Sequence, residues 1–210
     1  MSTSYQAFLK VLRRWTEPLV RALQQNLRRR MESLDPQNWT RHGFVIFGTD
    51  GSKIDLPRTK SNQEAYASSR AGTKANKRNR RRKSRNRSAT KKTQQPQLFL
   101  TTLFHVGLNL IWDWRIGPGD SSERGDALDM LASLPKNSLL TADAGFVGYD
   151  FSKTVLGSGC ELLVRVGSNV KLLKQLGFVR ESQGTVYVWP DKVSRKKLPP
   201  LVFRLVVVQG

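Results

Sequence analysis

The sequence predicts an α/β protein, a mixed sheet with helices covering it, preceded by a helical segment. Three patterns carry that prediction. Leu12, Trp15, Leu19, Leu23, Leu27, Met31 and Leu34 recur at spacings of three or four, the period of one helix face. From Gly43 that period gives way to short continuous apolar runs, such as Phe44-Val45-Ile46-Phe47, bounded by turn residues. After Ser122, helical and strand patterns alternate, so the order from Gly43 reads β, β, β-hairpin, α, β, α, β. With 38% hydrophobic residues among 210, the chain holds enough apolar material for a core.

Taken in order, Pro18 divides the N-terminal helical region, because proline lacks the N–H that continues the helix ladder. Thr16 then caps a second helix with Glu17 and Pro18 in its first turn, and Asp35-Pro36 stops it. Residues 44–47 and 54–56 read as two strands, and Ser61-Asn62-Gln63-Glu64 as a capping box opening a short helix. Residues 98–106 and 109–116 form a hairpin that turns at Gly107-Leu108. A helix over 122–134, a buried strand over 138–142, a helix over 149–156 and a strand over 161–166 complete the sheet. Beyond it, residues 185–189 and 201–208 are strands of a smaller sheet. The expected organisation is an N-terminal helical segment over 1–42, a core over 43–166 carrying a basic loop at 70–95, and a β-rich part over 167–210.

Charge narrows the function. Lys and Arg number 36 against 16 Asp and Glu, a net charge of +20 and a pI near 10.8, which points to a polyanionic partner. Twelve basic residues and no acidic one lie between Arg70 and Lys92, among them Arg78, Arg80, Arg81, Arg82, Lys83, Arg85 and Arg87. Without this stretch the net charge is +8. Ser, Thr, Asn, Gly and Ala fill the gaps without apolar periodicity, so it is expected to be a mobile loop that contacts phosphates with salt-sensitive affinity. A localisation signal or a solubilising loop is the plainer alternative, and composition does not separate DNA from RNA. One cysteine, Cys160, excludes an intramolecular disulfide framework, and with two histidines it cannot build a zinc finger. With no apolar run near the length of a membrane span and no secretory leader pattern, a soluble cytoplasmic protein associated with nucleic acid is expected.

Two aspartates stand out by position. Asp50 ends the run begun by the first strand, and Asp143 follows the buried strand at Ala142. Carboxylates at strand ends of an open α/β sheet can meet on one rim, and such a pair suits a hard cation, Mg²⁺ or Mn²⁺. Each also has a local explanation. Asp50-Gly51 is a strong two-residue hairpin signal, and Asp143 before Ala144-Gly145 fits an Asx turn. A turn is the better reading for either alone, whereas for both together a metal pair is about as good.

The stretch Val45-Ile46-Phe47-Gly48-Thr49-Asp50-Gly51-Ser52 followed by Leu56-Pro57, and the stretch from Leu139 through Asp143-Ala144-Gly145-Phe146 to Tyr149, resemble the two aspartate segments of DDE-type insertion-sequence transposases. The class resembled is the IS-four-like one, with a β-rich insertion before the final Glu, and Leu162-Leu163-Val164-Arg165-Val166 is similar to its next strand, including the Arg. The likeness runs over 43–166, with the two aspartates 93 residues apart. It implies a ribonuclease-H-like fold and DNA transposition by phosphodiester hydrolysis and strand transfer. Asp50 and Asp143 would be the catalytic metal ligands for Mg²⁺ or Mn²⁺, activating first a water and then a DNA 3′-hydroxyl. Arg165 would join the basic loop in binding DNA, with transposon ends and target DNA as partners. The family's third ligand is a Glu on a later helix with Tyr, Arg and Lys at helical spacings, and neither Glu161 nor Glu181 has those neighbours. The resemblance therefore implies a C-terminally truncated fragment with an incomplete active site. A second class stays open, a non-catalytic DNA-binding protein or an inhibitor of an intact transposase, with that enzyme or a second copy as protein partner; an RNA-binding protein whose Asp-Gly motifs are only turns is a third.

Weaker candidates complete the reading. Lys171 is either a phosphate contact or an ordinary exposed charge, and Trp189 either stacks on a base or packs in the small sheet, packing being favoured. Glu123, in the first turn of its helix, is either an outer neighbour of the metal or simply a partner of the helix dipole, which suffices to explain it. His42 and His105 read as packed or incidental.

Overall fold

The computed structural model describes residues 4–67, 95–166 and 178–207. Among the described residues five α-helices and eight strands follow in order: α1 (Tyr5–Leu34), α2 (Pro36–Trp39), β1 (Val45–Asp55), α3 (Lys60–Tyr66), β2 (Gln97–His105), β3 (Leu110–Pro118), α4 (Glu123–Met130), β4 (Ser138–Ala142), α5 (Tyr149–Gly157), β5 (Glu161–Val164), β6 (Phe178–Ser182), β7 (Thr185–Trp189) and β8 (Leu201–Arg204). The first five strands make one sheet in the order β3-β2-β1-β4-β5, and β6-β7-β8 make a small antiparallel sheet. In the large sheet β1, β2 and β3 are antiparallel neighbours, while β4 runs parallel to β1 and β5 parallel to β4. This is the mixed, helix-covered, ribonuclease-H-like core that the sequence led us to expect.

Alternation builds the core. Along β1, Val45, Phe47 and Thr49 are buried, and Phe47 meets Leu140 of β4 in the ladder, both fully buried. Met31 of α1, Ala127 and Met130 of α4, and Phe151 and Val155 of α5 close over them. The small sheet has its own centre, Val186 and Val188, which packs with Val147 beyond β4 and with Val164 at the end of β5.

Three local expectations are corrected. α1 runs unbroken through Pro18: Thr16 is not a cap, and its hydroxyl instead donates to the Leu12 carbonyl one turn back, at 2.6 Å. Asp35 does stop the helix, and it caps α2 by accepting from the Asn38 amide. Residues 44–47 and 54–56 belong to one long strand rather than two, because β2 pairs with β1 from Phe47 to Asp55, taking Asp50 and Gly51 into the ladder opposite Thr102 and Thr101. The cap of α3 is Thr59, earlier than the box predicted, with its hydroxyl accepting from the Asn62 amide at 3.2 Å. The hairpin turn falls at Gly107-Leu108 as expected. An added Cβ on Gly107 would lie 2.2 Å from the Asn38 carbonyl oxygen, so only glycine lets this turn close on α2.

Polar anchors seat α1 on the sheet. Asp113 of β3 is 2% exposed and holds Arg28 at 2.5 Å and Arg115 at 2.9 Å, accepts from the side-chain amide of Gln24, and accepts from the Trp114 amide. Arg28 also donates to the Trp112 carbonyl and lies over the Trp112 ring. Nearby, buried His105 stacks on Trp39 with ring centroids 4.7 Å apart, accepts from the Leu108 amide at Nδ1 and reaches the Trp39 carbonyl through Nε2. Those partners require a neutral ring with its proton on Nε2, and burial lowers its pKa from the usual 6.5.

Two outcomes follow. Asp113→Ala leaves Arg28 and Arg115 without their shared carboxylate and should destabilise the fold by about 3 kcal/mol in urea denaturation. Because the folded pKa of His105 is depressed, its contribution is complete above pH 6.5 and is lost as pH falls from there through the folded value. Urea midpoints compared at neutral and mildly acidic pH should therefore fall further for the wild type than for His105→Asn.

Candidate active site

The parallel pairing of β1 and β4 brings the two aspartates together. Val45, Ile46, Phe47 and Gly48 face Ser138, Leu139, Leu140 and Thr141 in order, and the Thr141 hydroxyl ties the register by donating to the Phe47 carbonyl at 3.0 Å. The ladder ends at Gly48 opposite Thr141, two residues before each aspartate, so both follow from the same end of this pairing. Asp50 is exposed, and its Oδ1 accepts from the Gly51 amide at 2.9 Å.

Asp143 is both a rim residue and a turn residue. It leaves β4 and caps a short 3-10 turn, Ala144–Phe146, its Oδ1 accepting from the Gly145 amide at 2.7 Å. Buried Phe146 and Val147 hold that turn against the core. From the other side Arg124 donates twice to the Gly145 carbonyl, at 2.8 and 2.5 Å. The start of α4 is thereby fastened to the turn that carries Asp143.

The same helix start delivers a third carboxylate. Ser122 caps α4 by accepting from the Gly125 amide, which fixes Glu123 in the first turn. A Cβ built on Gly51 would fall 2.6 Å from Oε1 of Glu123, so the glycine next to Asp50 is what admits this side chain. Burial raises the pKa of Glu123, and the negative charges of Asp143 and then Asp50 raise it further, against the Gly51 amide and the Arg124 guanidinium. Among the described residues no three His, Cys, Asp or Glu side chains converge tightly enough to form a ready ligand set. The donors present are carboxylate oxygens, the type a hard cation such as Mg²⁺ or Mn²⁺ takes.

The remaining candidates fall in several places. Arg165 follows β5, is exposed, and its amide donates to the carbonyl of Ala142, the residue before Asp143. Arg78, Arg80, Arg81, Arg82, Lys83, Arg85, Arg87 and Lys171 lie outside the described residues. Trp189 is packed rather than presented, 7% exposed, with its indole N–H donating to the Leu198 carbonyl. Glu181 accepts from the Gly184 amide at the β6-β7 turn. Glu123 and Arg124 are what sequence reasoning undervalued. Their only signal was a capped helix start, Ser122-Glu123-Arg124, soon after a predicted strand, and helix-dipole stabilisation explained the Glu without reference to either aspartate.

No helix among the described residues is long and apolar enough to cross a membrane. The chain is similar to InsZ of Escherichia coli (strain K12), whose name places it among the transposases, at 26% identity over 119 residues; the match covers 57% of this chain and 34% of that protein, so the chain spans about a third of its relative's length. No solved structure matches the chain. The model of the transposase DDE domain family matches residues 42–198, which takes in both aspartate segments, Glu123 and most of the small sheet, and the chain belongs to that family.

Proposed function

We propose that this chain works on DNA in transposition, binding transposon ends and holding a divalent metal at Asp50 and Asp143, two of the three carboxylates that phosphodiester hydrolysis and strand transfer use in the family it resembles. The observation that supports the reading is the β1–β4 register, which sets the segments leading to Asp50 and Asp143 side by side. Mg²⁺ or Mn²⁺ bound there would supply Lewis acidity for in-line displacement at a phosphodiester. The protein's own part is to fix the carboxylates: the ladder sets Asp50, and the Gly145 amide and the Arg124-buttressed turn set Asp143, while Arg165, exposed after β5 and tied by its backbone to Ala142, would offer a cation to a phosphate oxygen. The basic residues of 70–92 add sequence-independent affinity for the DNA backbone.

Two measurements test this. DNA bearing the element's ends should be bound equally by the wild type, Asp50→Asn and Asp143→Asn, and any nicking by the wild type in Mg²⁺ or Mn²⁺ should be abolished by either substitution. DNA binding without metal-dependent nicking by the wild type would assign a non-catalytic binder instead. In salt titrations followed by fluorescence anisotropy, replacing the seven residues Arg78, Arg80, Arg81, Arg82, Lys83, Arg85 and Arg87 by Ser should flatten the slope of log affinity against log salt by about 0.9 for each duplex phosphate that is no longer neutralised. An unchanged slope would remove this segment from the DNA interface.

A further inference from the structure

We propose that the N-terminal part of α1 is a pairing surface for a second copy of this chain, whose own α1 lies antiparallel along the apolar strip from Tyr5 to Leu23. The inference draws on neither Asp50 nor Asp143 and stands without the metal reading.

Tyr5, Phe8, Leu12, Trp15 and Leu19 succeed one another at spacings of three, four, three and four, the a and d positions of a heptad, and Leu23 follows one turn on. At about 100° per residue, these six side chains share a strip about a quarter of the helix circumference wide. All are exposed, from Leu12 at 43% to Tyr5 at 71%. The strip also faces away from the sheet, because Gln24, Arg28 and Met31, which hold α1 in place, project from the other side of the helix. A contiguous apolar patch of this kind marks an interaction surface. With roughly 100 Å² to lose from each large side chain, two such strips bury about 1,200 Å² between them, the lower bound of a specific interface.

Charge decides the occupant. Every charge between Tyr5 and Leu23, namely Lys10, Arg13, Arg14, Glu17 and Arg21, falls on the side opposite the strip. The positions that flank the strip, Leu9, Val11, Thr16, Pro18 and Gln25, carry none. Two copies of this basic chain can therefore meet along the strip without setting like charges across the seam, whereas a partner chosen by charge finds nothing there to recognise. A phosphate backbone would find its contacts on the other side of the helix. One face meeting its own copy about a two-fold axis is also self-complementary. Parallel pairing would press Tyr5, Phe8 and Trp15 against themselves. Antiparallel pairing sets Tyr5 and Phe8 of one copy against Leu23 and Leu19 of the other, with Leu12 and Trp15 at the crossing, so rings meet aliphatic chains. It also carries the rest of the two basic chains to opposite ends of the pair, where salt screens their repulsion.

The test is analytical ultracentrifugation of the full chain without DNA, over a range of concentrations in high salt. The wild type should form a dimer, and Leu12→Glu combined with Leu19→Glu should weaken it about a hundredfold or more. Both leucines are exposed, so the sheet should stay folded in that variant, which melting curves check. Cysteine cross-linking reads the arrangement in otherwise unaltered chains, the native Cys160 being buried. Under air oxidation, Phe8→Cys mixed with Leu19→Cys should form a disulfide between the two variants faster than Phe8→Cys forms one with itself. The reverse order would overturn the antiparallel pairing. A wild type that stays monomeric at every concentration, or a dimer undiminished in the double variant, would overturn the proposal. A monomeric wild type that binds phosphatidylserine vesicles, with binding lost in the double variant, would overturn it too and assign the strip to a lipid surface.

Discussion

Parallel strands cannot be joined by a tight turn, so a chain that pairs β1 with β4 must place everything between them elsewhere. Here the intervening chain supplies the β2-β3 hairpin, which extends the sheet on the other side of β1, and α4, which returns across the sheet toward β4. The ladder between Val45 and Thr141 is therefore the constraint on which the rest depends. It brings together segments remote in sequence, defines the rim, and leaves α4 with its N-terminus over β1 and its Arg124 within reach of the turn after β4. A one-residue slip in that ladder would part Asp50 from Asp143 and turn Phe47 away from Leu140.

Legibility in the sequence followed how local each determinant was. The strand at Ser138–Ala142 and the hairpin turn at Gly107-Leu108 were readable because their apolar runs and turn residues suffice to specify them. Asp50-Gly51 was ambiguous because its turn chemistry is real in isolation, and a neighbouring strand outcompetes it by pairing through both residues. Pro18 misled in the same way: one missing N–H interrupts the ladder but does not end a helix of 30 residues that is seated further along. The aspartates could be named from their strand-end positions and their family resemblance. Glu123 could be named only as a weaker candidate, with the helix dipole sufficing to explain it, since its relation to them exists only when α4 crosses the sheet.

Charge has two regimes in this molecule. At Asp113 the negative group is buried but answered from several sides, by Arg28, Arg115, Gln24 and a backbone amide, so the ion pair behaves as a structural rivet. At the rim Glu123 feels the negative charges of Asp143 and Asp50, answered by the Gly51 amide and the Arg124 guanidinium. The contrast separates a buried charge that completes the fold from exposed or half-buried charges at the sheet rim. Glycine serves the second regime at Gly51 and the first at Gly107, where the hairpin closes on α2.

The rivet at Asp113 has a mechanical side. It grips α1 at Gln24 and Arg28, and Met31 buries the following turn, whereas Phe8, Trp15 and Leu19 further toward the N-terminus are exposed. The helix is thus a cantilever, clamped near one end, whose free arm from Tyr5 to Gln24 is about 30 Å long at the helical rise. Rotation at a clamp is magnified along such an arm: a tilt of about 10° at Asp113 swings the tip by about 5 Å, roughly one helical pitch. Small rearrangements in the β3 backbone are therefore converted into large displacements of an apolar, arginine-rich helix far from the sheet.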